Sequence, residues 1–304
     1  MHFRLAIAVA ALAAICLTVA GSARPTGKAR YLTSLTWSEP IDGFGGISAL
    51  ELDPEGVEFV AMTDRTRLLR GRLQRKDGTL IGITLTGSND LLKPDGTRLK
   101  GWRRDSEGLA LRSDGELFVS FEATAKVWSY PDMAGPATRL PRHPDFKRMP
   151  GNESLEALAI DAQNRLYVVP ETPLDAQTGF PVYRYAGGQW KIIDHIAPSG
   201  GFNPVGADFG PDGQFYLLER DFGGIGFRSQ VRRFDLDHFD PDGDVLFTSS
   251  LGQHDNLEGL SVWRDTSGQI RLTMVSDDNF KFFQRTEIVE YVLMEPLAKA
   301  PATH

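Results

Sequence analysis

GGISALELDPEGVEFVAMTDR (residues 45–65) passes from one short apolar run through a Pro-Glu-Gly turn into a second apolar run that ends on an acidic residue. The layout returns as DSEGLALRSDGELFVSFEA (105–123), SLEALAIDAQNRLYVVPET (154–172), NPVGADFGPDGQFYLLERD (203–221) and NLEGLSVWRDTSGQIRLTMVSDDN (256–279). The five copies start 60, 49, 49 and 53 residues apart. Two apolar runs around a Gly or Asp-Gly turn make a strand-turn-strand signature. Self-similarity at a period near 50 residues points to a radial or stacked repeat rather than one layered core. A propeller blade of four strands takes roughly 40–50 residues, and ring closure leaves only short edges. The chain is therefore predicted to be all-β, a β-propeller.

The segments between the hairpins supply the outer strands: 68–73 and 82–85, then 127–130, then 182–186 with 190–195, then 230–236 with 245–249, and last 287–294. Five hairpins make five blades directly. Residues 30–37 pairing near 288–293 would close the ring like a clasp, which predicts a sixth blade assembled from both chain ends and a propeller domain over 30–296. Asp, Gly and Pro interrupt almost every window long enough for a three-turn helix. Two connections, 140–152 and 221–229, are longer than minimal blade loops, and long loops on a rigid scaffold often carry binding residues.

Arg4 precedes an apolar run over 5–20, and Ala20, Gly21, Ser22 and Ala23 offer cleavage sites before Pro25. This is the layout of a secretory signal peptide over 1–23 and predicts a periplasmic or secreted protein; an uncleaved anchor is the alternative. Cys16, the single cysteine, falls inside that segment. A mature chain without cysteine has no disulfides, no thiolate catalysis and no Cys-ligated zinc. The formal charge of −7 argues against nonspecific binding to nucleic acid or an anionic membrane, though not against a local basic patch. No later apolar run reaches membrane-spanning length, and a monomer acting on a small anionic or ester substrate is the expectation.

Glu107, Glu156 and Glu258 each open a first strand, as Glu-Gly-Leu-Ala, Glu-Ala-Leu-Ala and Glu-Gly-Leu-Ser. Glu122 and Glu171 follow the first two by 15 residues and close the next strand. An antiparallel hairpin returns to its starting end, so Glu107 should meet Glu122, and Glu156 should meet Glu171. Asp64, Glu219 and Asp277 hold comparable strand-end positions in the other units, while Gly46 and Val205 stand where the other units open on Glu. If the first strands line the central channel, these acids form a ring at one mouth. Packed carboxylates need a compensating cation or proton. Calcium fits best, because it takes six to eight oxygen ligands in irregular geometry; magnesium is second. Arg65, Arg220 and Lys281 stand beside the strand-end acids and would suit an anionic substrate such as a phosphate ester.

His254, four residues before Glu258, is a candidate general base or substrate contact. The run from Asp240 to Asp244 has the look of a calcium-loop fragment without its closing glutamate and reads better as a turn. Gly-x-Ser-x-Gly elbows, phosphate-cradling glycine loops and dinucleotide fingerprints are absent.

The segments FGGISAL (44–50), DSEGLA (105–110), Asn152 with EALA (156–159), LER (218–220), DNLEGL (255–260), SDDNF (276–280) and QRT (284–286) carry a resemblance to the phytase-like family described as having esterase-like activity of phytase. The resemblance extends over about 32–293, nearly the whole mature chain. The resemblance implies a propeller and a calcium-dependent phosphoester hydrolase; the catalytic candidates read from the residues themselves are Glu107, Glu258 and His254. The rival expectation is a noncatalytic propeller that binds a ligand or partner protein and keeps a structural metal.

Overall fold

The computed structural model describes residues 27–294, so the segment read as a signal peptide lies outside the described residues. The first strand is β1 (Ala29–Thr36). Blade 1 follows as β2 (Ile47–Leu52), β3 (Glu58–Thr63), β4 (Arg67–Lys76) and β5 (Thr79–Asp90). Blade 2 is β6 (Ser106–Leu111), β7 (Leu117–Phe121), β8 (Lys126–Tyr130) and the short β9 (Thr138–Arg139). Blade 3 is β10 (Leu155–Ile160), β11 (Leu166–Pro170), β12 (Phe180–Ala186) and β13 (Gln189–Ile196). Blade 4 is β14 (Asn203–Phe209), β15 (Phe215–Phe222), β16 (Phe227–Phe234) and β17 (Asp244–Thr248). Blade 5 takes β18 (Asn256–Arg264), β19 (Ile270–Asp277) and β20 (Glu287–Leu293), with β1 as its outermost strand.

The protein is thus a five-bladed propeller, not the six-bladed one expected. The clasp itself forms: β1 pairs antiparallel with β20, Arg30 opposite Val292 and Leu35 opposite Ile288. Its physical role differs, because the last repeat supplies only three strands and the N-terminal strand completes that blade rather than founding another. Among the described residues helix is confined to two 3-10 turns, Gly101–Arg104 and Pro144–Lys147.

An apolar cluster fills each junction between blades. Ala49, Met62, Leu109, Val119 and Trp128 sit between blades 1 and 2; Ile47, Leu50, Phe59, Val275 and Ile288 seal blade 5 against blade 1. The middle strands are covered on both faces, which is why β7, β11 and β20 read as continuous rather than alternating apolar runs, while outer strands such as β4 and β5 keep an exposed face. Of the two long connections, 140–152 buries Phe146, and its Pro141 carbonyl accepts from Trp190 Nε1 at 2.9 Å. The other is mostly an extension of the β15–β16 hairpin, with Phe222 paired to Phe227.

Every inner strand carries a β-bulge at the same place. The register slips across Ser48 in β2, Glu107-Gly108 in β6, Glu156 in β10, Val205 in β14 and Glu258 in β18. A bulge re-aims the extra residue, and here these five positions line a common axial void of only about 10 Å³. The residue after the bulge is always small: Ala49, Gly108, Ala157, Gly206 or Gly259. A Cβ on Gly108 would meet the Glu156 carbonyl, one on Gly206 the Glu258 carbonyl, and one on Gly259 the Leu50 amide. The Glu-Gly-Leu and Glu-Ala-Leu motifs therefore record two demands: a side chain aimed at the axis, then room for the neighbouring inner strand. Gly206→Val is expected to cost about 2–3 kcal/mol through overpacking against backbone that cannot yield. An urea melt that leaves stability within 0.5 kcal/mol of the parent, as for about any neutral surface change, would contradict that close approach.

Candidate functional site

The repeated register builds one mouth of the channel from two tiers. The inner tier is the bulge set, Ser48, Glu107, Glu156, Val205 and Glu258. The outer tier closes the second strand of each blade: the Asp64 amide donates to the Gly46 carbonyl, Glu122 to Asp105, and Glu171 to Ser154, while Arg220 pairs with Asn203 and Asp277 with Asn256. The first unit's counterpart of the glutamates is therefore Ser48 rather than Gly46. Its Oγ donates to the Ser106 carbonyl at 2.7 Å and ties blade 1 to blade 2.

Glu219 does not join the ring. Alternation along β15 turns it into blade 4, where Arg232 Nε and Nη2 hold its carboxylate at 2.7 and 2.5 Å with both side chains buried. The strand-end place belongs to Arg220, one residue on. Its Nη2 meets Glu171 at 2.9 Å, and its Nη1 meets Asn256 at 2.8 Å and the Glu258 carboxylate. Arg220 is thus a cation built into the acidic ring.

Two groups of carboxylates share a centre. Asp105, Glu107 and Glu122 offer oxygens all within 4.8 Å of one another, as do Glu122, Glu156 and Glu171. Glu107 and Glu122 are thereby brought together, and so are Glu156 and Glu171. Burial and mutual repulsion push protonation upward throughout. Burial, then the charges of Glu156 and Glu258, lift Glu107 well above the carboxylate range; burial, then Glu171, does the same for Glu156. Glu122 is pushed to about 8 by burial and by Asp105. Burial also raises Glu171 and Glu258 against the opposing pull of Arg220. On the far side of the mouth burial raises Asp64 to about 6, and burial with the Glu258 charge raises Asp277 to about 9. Asp64 Oδ1 is buried without a hydrogen-bond partner, an orphaned anionic oxygen that a cation would satisfy. An all-carboxylate donor set of this density fits a hard divalent cation.

The remaining candidates surround the ring. Arg65, exposed, lies 3.9 Å from Asp64 and stacks 3.5 Å over the Phe280 ring. Lys281 shares with Arg220, His254 and Asn256 the wall of a cleft of about 670 Å³, whose rim carries exposed Ile225, Phe222 and Phe283. His254 is buried, its Nε2 2.7 Å from the Tyr291 hydroxyl, and burial with the Arg285 charge lowers it to about 4, which keeps it neutral. The Asp240 turn is a turn, its Oδ1 accepting from the Asp242 amide at 3.1 Å.

Asp105 and Asn256 are the ring members that sequence reasoning missed. Both stand two residues before a ring glutamate, in a column that reads Gly46, Asp105, Ser154, Asn203, Asn256, and four polar side chains in five copies were the available signal.

No curated protein matches this chain in sequence. Among solved structures it is similar to XC5397 of Xanthomonas campestris, a gluconolactonase, at 15% identity and a TM-score of 0.44 over 82% of this chain and 73% of that one. It is also similar to the PQQ-bound aldose sugar dehydrogenase of Streptomyces coelicolor, at 13% identity and a TM-score of 0.46 over 88% and 99%. A Dyadobacter fermentans protein of unknown function gives 9% identity and a TM-score of 0.47 over 88% and 100%. Likeness at this level says nothing about activity or substrate. The phytase-like family model, described as esterase-like activity of phytase, matches residues 42–280 and so covers well over half of the sequence: the chain belongs to that family.

Proposed function

We propose that the protein is a metal-assisted hydrolase of phosphoesters or related esters, acting in the periplasm or outside the cell on a small substrate. The observation that carries this reading is the mouth itself: eight carboxylates from four blades share a neighbourhood with one buried cation, Arg220. Asp105, Glu107, Glu122, Glu156 and Glu171 would hold a divalent cation, calcium in preference to magnesium. Such a cation, when bound, polarises an ester oxygen and lowers the pKa of an attacking water.

The chain's own residues supply the rest. Asp64 and Asp277 belong to neither of the two carboxylate clusters, and although both are raised by burial and by ring charges they are raised to different levels, the arrangement that lets one act as base and the other as acid. Asp64, at about 6, is mostly ionised at pH 7 and takes the proton from water as its oxygen attacks phosphorus or the ester carbonyl. Asp277, at about 9, holds a proton on its carboxyl and gives it to the alkoxide released when the ester bond breaks. Arg65 and Lys281 steady an anionic group, and the apolar rim at Ile225 and Phe283 receives an organic body. The test is turnover of phosphomonoesters, phytate, aryl esters and lactones with calcium and then with chelator. Asp277→Asn is expected to lower kcat about 10²–10⁴-fold. Turnover that ignores chelator on every class, or no turnover at all, would refute the reading.

One observation favours a second reading, a noncatalytic propeller with a structural cation. Arg220 already closes one side of the ring, and the axial void beneath it is about 10 Å³, too small for more than a single water. On that reading calcium raises thermal stability while no ester class is hydrolysed.

A further inference from the structure

A second site lies between blade 2 and the connection that enters it from blade 1. The segment after β5 folds back as a turn, with the Thr97 hydroxyl on Asp95 at 2.7 Å, and leans on blade 2 through a bridge between Leu92 and Pro136. Between this turn and blade 2 opens a cleft of about 1080 Å³. Lys100, Arg103, Lys126, Arg139 and Arg142 line it, and among the described residues Asp95 is the only acid in its wall, already engaged by Lys93 at 3.2 Å and by Thr97. In a chain of net charge −7 this is a local reversal of sign.

Lys126 shows that the cleft is built rather than merely decorated with surface cations. It is 8% exposed, and its ammonium lies 4.5 Å from the Phe121 ring centroid and 4.2 Å from that of Trp128. Among the described residues no carboxylate or hydrogen-bond acceptor meets it, and the rings alone offset little of its lost hydration. Thr124 Oγ1, in the same wall, is buried without a partner as well. Burial and the neighbouring Arg142, Arg103 and Arg139 charges lower Lys126 to about 8, the environment an anion would relieve. A buried unpaired ammonium, an unpartnered hydroxyl and three guanidiniums therefore face one space with apolar walls at Trp102, Trp128 and Leu140.

We propose that this cleft binds a small organic molecule bearing two or more oxyanion groups, phosphate or carboxylate, with its anionic end on Lys126, Arg103, Arg139 and Arg142 and its body against Trp128. More than one charge is required because four cations converge where a single monoanion would leave most of them unpaired. Guanidiniums bind such groups through paired donors, and the ammonium acts as a point charge. The site needs no metal and stands or falls apart from the hydrolase reading.

The experiment is titration calorimetry of the full chain with inorganic pyrophosphate in chelator, read together with tryptophan fluorescence. Saturable one-to-one binding that weakens with salt is expected, with at least a tenfold loss in Lys126→Met and in the Arg139→Ala/Arg142→Ala double variant. Arg72→Ala, which removes an exposed arginine of β4 paired with Glu58, should stay within twofold. Lys126→Met also removes a buried unpaired charge, so its melting temperature should not fall, and weak binding cannot then be ascribed to unfolding. Parallel arms use vesicles containing phosphatidylglycerol and a short DNA duplex. Absence of binding, an equal loss in Arg72→Ala, binding only with calcium, or binding to vesicles or DNA but not to pyrophosphate would each overturn the assignment.

Discussion

Arg220→Met is expected to destabilise the metal-free protein by about 3–5 kcal/mol, because it leaves Glu171 and Glu258 buried without their cation. Both carboxyls are already raised by burial; this guanidinium holds Glu171 down, and at Glu258 it does so together with the hydrogen bond from Asn256. The variant should take up protons at these sites at neutral pH, and its stability should recover as pH is lowered. Arg220→Lys should recover part of the loss, since a point charge cannot fork between Glu171, Glu258 and Asn256 as the guanidinium does.

Arg232→Met supplies the comparison. Arg232 and Glu219 form an ion pair with exposures of 2% and 0%, so breaking it should cost a similar amount. That pair lies inside blade 4, where among the described residues no carboxylate cluster surrounds it. On the proposal that the mouth holds calcium, saturating calcium should return much of the stability lost in Arg220→Met and none of that lost in Arg232→Met. Equal behaviour of the two variants in calcium and in chelator would mean that the ring takes no cation.

The blade pattern was legible in the sequence because each hairpin carries its own signal: an apolar run, a Gly or Asp turn, and a return. The strands expected over 127–130 and 287–294 correspond to Lys126–Tyr130 and Glu287–Leu293. The blade count was not legible, since pairing of the chain ends was visible but the sheet they join is decided by which blade lacks a strand. The ring positions Glu107, Glu122, Glu156 and Glu171 followed from hairpin return alone. Glu219 misled because side-chain direction has a period of two, and one step along β15 exchanges the blade interior for the mouth. The basic cleft was invisible for another reason. Lys100 and Arg103 precede β6, Lys126 begins β8, and Arg139 and Arg142 follow it, so no window of sequence shows the cluster.

Between pH 6.5 and 8 the metal-free protein should lose stability as pH rises, and calcium should oppose the loss increasingly. Asp277, at about 9, and Glu122, at about 8, hold protons in the folded state that the unfolded chain has released above about pH 4. A raised carboxyl pKa contributes stability that is complete below the unfolded value and is lost as pH climbs through the folded one. Asp208, buried near the end of β14 and raised to about 7 by burial, adds the same sign. Two groups work the other way outside this window: His254, lowered to about 4, adds stability as pH rises to about 6.5, and Lys126, lowered to about 8, does so from about 8 upward. Each carboxyl costs about 1.4 kcal/mol per pH unit while it alone is protonated only in the folded state. Calcium at about 100 times its Kd should add roughly 2.7 kcal/mol at a given pH. Because calcium must displace the protons that the ring holds, its binding should release them, and the apparent heat should change with the ionisation enthalpy of the buffer. Glu107→Gln and Glu122→Gln should reduce both the proton release and the calcium-induced rise in melting temperature. A calcium effect that is flat from pH 6.5 to 8, with no buffer-dependent heat, would separate the raised pKa values from any metal site and leave the ring to be held together by protons and Arg220 alone.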